Sequence, residues 1–197
     1  LSRRDQQSMS SHVLVVGCGA IGGLFAAALS SVAKVTAFDT NADPQGLRIV
    51  GKNPRAVRIA ATGDVASLQS SAFAAILFFV KSKATAAALE QLRPIFVGNP
   101  ALVTLQNGMG NAEAVLAVPD AIVLRGVTMN AGRYVEAGCI ESLIEGKTWL
   151  GPARGSVDNV RPLADLLNKG GMETEILADP MGAVWSKFVY NSVMNPL

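Results

Sequence analysis

Apolar positions along the chain fall into short continuous runs that alternate with stretches of helical spacing. Residues 12–16 form an apolar run that ends at Gly17, and Ile21, Leu24, Phe25, Ala28 and Leu29 then recur at helical intervals, predicting a strand, a turn and a helix. Residues 35–38 repeat the strand pattern and stop at Asp39-Thr40-Asn41, while residues 57–61 give a weaker third strand. Residues 74–80 and 101–105 are apolar throughout, as strands buried on both faces of a parallel sheet are. Helices are predicted over 83–96, 112–118 and 160–168, and strands over 121–129 and, as an edge, 173–177. The glycine- and aromatic-punctuated stretch 132–151 reads as antiparallel hairpins. Strands alternating with helices specify an α/β protein with a parallel sheet and a mixed edge.

The final segment breaks this rhythm. Lys187, Asn191 and Asn195 recur every four residues among Trp185, Phe188, Val189, Tyr190, Val193, Met194 and Leu197, so they form one polar stripe on a helix. A helix apolar on nearly every other side is expected to be buried, with its stripe facing a cleft. Asp179 and Pro180 mark its start as cap and first-turn residue. Neither a glycine cap nor a basic last turn follows Asn195, so the helix reads as interrupted. The organisation expected is a disordered arm over 1–11, a dinucleotide-binding domain over 12–178, and over 179–197 the first helix of a truncated all-α domain.

Composition narrows the chemistry. The 197 residues are 50% hydrophobic and 16% charged with a formal net charge of +2, which gives no electrostatic reason for a nucleic acid or an anionic membrane as partner. Cys18 and Cys139 lie in no metal-ligand spacing and fit a reducing cytoplasm. His12, the only histidine, excludes a multi-histidine metal site and leaves a histidine triad only the entrance of the first strand; no metal is expected. Arg3 and Arg4 ahead of an uncharged stretch allow an export signal, but four glycines over 17–23 and the strand that follows argue against it.

Gly17-Cys18-Gly19-Ala20-Ile21-Gly22 is a G-x-G-x-x-G loop directly after a strand and opening a helix, the setting in which it cradles a dinucleotide pyrophosphate. The fold class is therefore a Rossmann-type sheet. Asp39, at the end of the second strand, is placed to accept the adenosine ribose hydroxyls, which favours NAD over NADP; Thr40 beside it remains a donor for a phosphate. Lys81 and Asn107 each end a buried strand at the carboxyl edge, where ligands bind in open α/β sheets.

Together the glycine loop, Val80-Lys81, Asn107-Gly-Met-Gly110, Gly151-Pro-Ala153 and Trp185-x-Lys187-x-x-x-Asn191-x-x-x-Asn195-Pro196 resemble the ketopantoate reductase (2-dehydropantoate 2-reductase) family, in the family's order. The resemblance implies reduction of 2-dehydropantoate to (R)-pantoate with NADPH, in pantothenate and coenzyme A biosynthesis. It implies Lys187 as general acid, Asn107, Asn191 and Asn195 as substrate ligands, Lys81 and Asn107 at the nicotinamide, and a main-chain cofactor contact at Gly132. The family often carries Arg at the Thr40 position to hold the 2′-phosphate, and here Asp39 stands beside Thr40, so both NAD and NADP stay open. Its helical C-terminal domain, a route to a homodimer, is absent from this chain. Two other readings remain: a reductase of another branched 2-keto acid, and a non-catalytic NAD(P)-sensing module.

Overall fold

A computed structural model describes residues 11–39 and 46–194. Residues 1–10 of the arm expected over 1–11, together with Thr40 and Asn195, lie outside the described residues.

Twelve strands and five helices follow in order: β1 His12–Val16, α1 Ala20–Leu29, β2 Lys34–Phe38, β3 Leu47–Gly51, β4 Arg55–Val57, β5 Ala60–Thr62, β6 Ala75–Phe78, α2 Thr85–Leu92, β7 Ala101–Thr104, α3 Asn111–Leu116, β8 Val123–Thr128, β9 Ala131–Glu136, β10 Cys139–Ile144, β11 Thr148–Arg154, α4 Val157–Lys169, β12 Thr174–Ile176 and α5 Met181–Met194. An eight-stranded sheet has the order β12-β11-β8-β7-β6-β1-β2-β5. Its six strands from β8 to β5 are mutually parallel, while β11 runs antiparallel to β8 and carries β12 as the edge. The expected α/β class and mixed edge are thus observed.

Burial on both faces explains why β1, β6 and β7 are almost wholly apolar. Odd and even positions feed two separate cores: Val13, Val15 and Leu77 pack beneath α1 and α4, whereas Leu14, Ile76, Phe78 and Leu102 pack on the α2 and α3 side. Fully burying one such side chain contributes about 1.5–3 kcal/mol. At the amino edge of the sheet, buried His12 meets Thr36 Oγ1 through Nε2 at 2.9 Å and stacks on Phe73, far along its strand from the glycine loop. Helix α4 begins with a capping box between Ser156 and Asn159.

The pattern 57–61 is not one strand. Val57 ends β4 in one sheet and Ala60 begins β5 in another, because the intervening Ile59 turns into the core beneath α1. A second sheet has the order β4-β3-β10-β9; its β9-β10 hairpin is the antiparallel pairing expected of the stretch 132–151, whereas β3 and most of β4 match no expected strand. It lies over α1, where Ile49 and Ile140 meet Leu24 and Ala27. Helix α1 is therefore enclosed between two sheets, which is why eight of its ten residues are buried and why Ala and Gly dominate it. A Cβ at Gly23 would overlap Ile140 Cδ1.

The last helix also departs from expectation. Val184 is buried, but Trp185, Val189, Tyr190 and Val193 are exposed among the described residues. Only one face of α5 rests on the sheet, against β8. The apolar character of the other faces is therefore not explained by burial within these residues.

Candidate functional site

All six parallel strands deliver their carboxyl ends to one edge, so the glycine loop after β1, Asp39 after β2, Lys81 after β6, Gln106-Asn107 after β7 and Met129-Asn130 after β8 share it. A cleft of about 680 Å³ opens there, bordered by Ile21, Lys81, Asn107, Gly132, Lys187 and Asn191. Six of the expected site residues, from opposite ends of the chain, are thus brought together. Cys18, Gly19 and Asp39 instead border a neighbouring hollow of about 170 Å³, with Tyr134 and Ile140 on its far wall.

The loop has the build of a phosphate cradle. Gly17 holds φ +90°, and a Cβ there would stand 2.8 Å from the Val80 nitrogen. A Cβ at Gly22 would overlap the Gly17 carbonyl oxygen, so helix and turn meet as closely as backbone allows. Gly19 has no atom within 4 Å of its Cβ position, and no side chain caps α1. The first N–H groups of that helix, Ala20 and Ile21 included, stay open to an anion. These residues fit a dinucleotide pyrophosphate. Asp39 Oδ2 accepts the Cys18 N–H at 2.7 Å, tying the second strand to the loop. Burial and the Asp39 charge push the Cys18 thiol up to about 12, so it stays protonated and inert.

Lys187 projects from α5 into the cleft and donates from Nζ to the Thr128 carbonyl oxygen. Burial holds its pKa below the ordinary 10.5. An ammonium has three donors, so two remain for a ligand. Asn191, one turn on, lines the same cleft, and so does Asn107 from the loop after β7.

Several contributors had no role in the sequence reading. Gln106 donates from Nε2 to the Val80 carbonyl and to Thr85 Oγ1, bridging the Lys81 and Asn107 loops. Asn111 Nδ2 donates to the Asn107 carbonyl at 3.0 Å. Asn130 Nδ2 donates to Thr128 Oγ1 at 2.7 Å and to the Gly146 carbonyl at 2.7 Å, fixing the strand end that receives Lys187. The available signal was position: Gln106 and Asn130 also sit at strand ends. Among the described residues no His, Cys, Asp and Glu cluster could hold a metal, and no helix is long and apolar enough to cross a membrane.

Residues 13–155 match the family described as ketopantoate reductase PanE/ApbA. The chain is 34% identical over 196 residues to the 2-dehydropantoate 2-reductase of Halobacterium salinarum, covering 93% of this chain and 63% of the relative. It is 28% identical over 193 residues to that of Pyrococcus abyssi, covering 94% of this chain. The chain spans 62% of the length of that relative. Its fold superposes on a 2-dehydropantoate 2-reductase from Geobacter metallireducens with a TM-score of 0.82 at 25% identity, covering 91% of this chain and 62% of the other. A D-mandelate dehydrogenase solved with NADH shares the fold at a TM-score of 0.85 and 18% identity, covering 93% of this chain and 62% of that one.

Proposed function

The chain belongs to the ketopantoate reductase PanE/ApbA family, and from that premise we propose that it is the cofactor-binding part of an NAD(P)H-dependent reductase of 2-dehydropantoate. Residues 12–178 form the dinucleotide-binding domain in this reading, and 179–197 open a second, helical one. The observation that carries the reading is the meeting of Lys187, Asn191 and Asn107 in one cleft that Lys81, Gly132 and the start of α1 also border.

A bound dihydronicotinamide supplies hydride to a ketone carbon. Negative charge then grows on the ketone oxygen, and the Lys187 ammonium both stabilises it and delivers the proton from Nζ. Partial burial suits Lys187 to this work, since a lowered pKa eases proton release. The Thr128 carbonyl holds the ammonium in place throughout. Asn107 and Asn191 orient the 2-keto acid by hydrogen bonds, and Asn195 is assigned as a third ligand. Lys81 and the Gly132 main chain border the nicotinamide end. Asp39 favours NADH, because a 2′-phosphate beside its carboxylate is repelled.

The test is oxidation of NADH and NADPH with 2-dehydropantoate and other branched 2-keto acids, using protein expressed from its complete reading frame. Lys187→Ala is expected to lower kcat by about 10²–10⁴-fold, the usual worth of a positioned proton donor. No turnover by the unsubstituted protein, or unchanged turnover in Lys187→Ala, refutes the assignment.

A further inference from the structure

Every residue of β8 is buried, and one of them is charged: the Arg125 side chain is only 10% exposed. A buried guanidinium must find partners, and those of Arg125 lie outside the sheet. One terminal nitrogen meets Glu113 Oε1 of α3 at 2.6 Å, and the other meets Met181 Sδ, in the first residue of α5, at 2.8 Å. The hydrogen bond from Arg125 holds the Glu113 carboxyl below the usual carboxylate range, so the anchor stays ionised at neutral pH.

The Met181 contact sits at a telling place on α5. At about 100° per residue, Met181, Val184, Lys187 and Asn191 fall within an arc of roughly 120°. This is the face against β8: Val184 is buried there and Lys187 reaches the Thr128 carbonyl, while Trp185, Val189 and Val193 on other faces are exposed. The helix is thus held along one narrow stripe.

The two polar fixings along the stripe have matching spacing. Arg125 and Thr128 are three residues apart on a strand, about 10 Å at 3.3 Å per residue. Met181 and Lys187 are six apart on a helix, about 9 Å at 1.5 Å per residue. The two contacts can therefore be made together by one placement of α5 on β8.

We propose that Arg125 is a positioning residue: braced by Glu113, its guanidinium fixes the first turn of α5 and thereby the place at which the Lys187 ammonium enters the cleft. The catalytic consequence of this placement rests on Lys187 being the proton donor, but the placement itself and its test do not. A purely local role, tying α3 to the sheet, would leave Lys187 unaffected.

Arg125→Met keeps the bulk, and Glu113, 56% exposed, is left solvated rather than stranded. The readout is the titration of the isotopically labelled Lys187 side chain by NMR, its signal assigned through Lys187→Arg. A loosened α5 admits water to the ammonium, so the midpoint should move up towards 10.5. Met181→Ala, which removes the contact from the helix side, should move it the same way and covers the case in which Arg125→Met does not fold. In turnover, Arg125→Met should lower kcat at least about tenfold, within the roughly 100-fold that a 1 Å misplacement costs, with NADH affinity unchanged. An unmoved Lys187 titration in the folded variants overturns the proposal. A moved titration in a protein that reduces no keto acid upholds it and refutes the proposed reaction instead.

Discussion

Two neighbouring glycines should respond to the same substitution in opposite ways. Gly19 has φ −66° and ψ −164°, a conformation open to alanine, and no atom lies within 4 Å of its Cβ position. In Gly19→Ala the folded chain accommodates the methyl and the unfolded chain loses freedom, a gain of about 0.4–1 kcal/mol. For a chain of this size that raises Tm by roughly 1–4 °C. The open space is nevertheless where a pyrophosphate must approach the backbone, and losing one charge-assisted hydrogen bond costs about 1.5–3 kcal/mol. The dissociation constant should then rise roughly 10- to 150-fold.

Gly22→Ala meets the Gly17 carbonyl oxygen directly, with Phe79 Cβ at 3.1 Å. Overpacking of about 1–3 kcal/mol exceeds the helix-propensity gain of about 1 kcal/mol from alanine. Tm and cofactor affinity should fall together. Thermal unfolding and nicotinamide fluorescence titrations of the two variants measure both quantities. If Gly19→Ala binds NADH and NADPH as tightly as the unsubstituted protein, the pyrophosphate does not cross Gly19 and the cradle is misread.

Other consequences can be measured on the same material. With protonated Lys187 as the proposed acid, kcat should fall as pH rises through its lowered pKa, giving an alkaline limb below pH 10.5; a limb at or above that value contradicts a desolvated donor. NADH should exceed NADPH in kcat/KM, and Asp39→Asn should narrow the gap while keeping an acceptor for the Cys18 N–H; a strong preference of the unsubstituted protein for NADPH defeats the reading of Asp39. His12 has its pKa lowered by burial and then by Lys34, so the unfolded chain binds the extra proton first. Its contribution to stability is present above pH 6.5 and lost as pH falls from there towards the folded value. His12→Gln should flatten that stretch of the Tm–pH curve; an unchanged slope assigns the acid loss to other groups.

The main sheet was legible because parallel strands advertise themselves: the apolar runs 74–80 and 101–105 contain β6 and β7. The meeting of candidate residues at one cleft was legible where a polar residue follows a buried strand, as Asn107 does. Lys187 and Asn191 were legible from their helical spacing. Of the second sheet the β9-β10 hairpin was legible and the other half was not, since β3 to β4 is a short, largely exposed ribbon with a single buried residue, Ile49, and no alternating pattern survives. Arg125 was passed over because an isolated charge inside an apolar strand has no visible partner until α3 and α5 are folded beside it. The apolar faces of α5 misled in a definite way: hydrophobicity records what a surface suits, whereas burial depends on what lies against it.

Enclosure of α1 between two sheets limits how this scaffold can change. With Gly23 against Ile140 and Gly22 against Gly17, the helix has no room to slide, tilt or accept larger residues. The phosphate-facing end of the cradle is a fixed reference point, and a shift in cofactor choice cannot come from moving it. It must come from the side chains that end β2, where Asp39 stands, so the route from one nicotinamide dinucleotide to the other runs through few positions and leaves the core untouched.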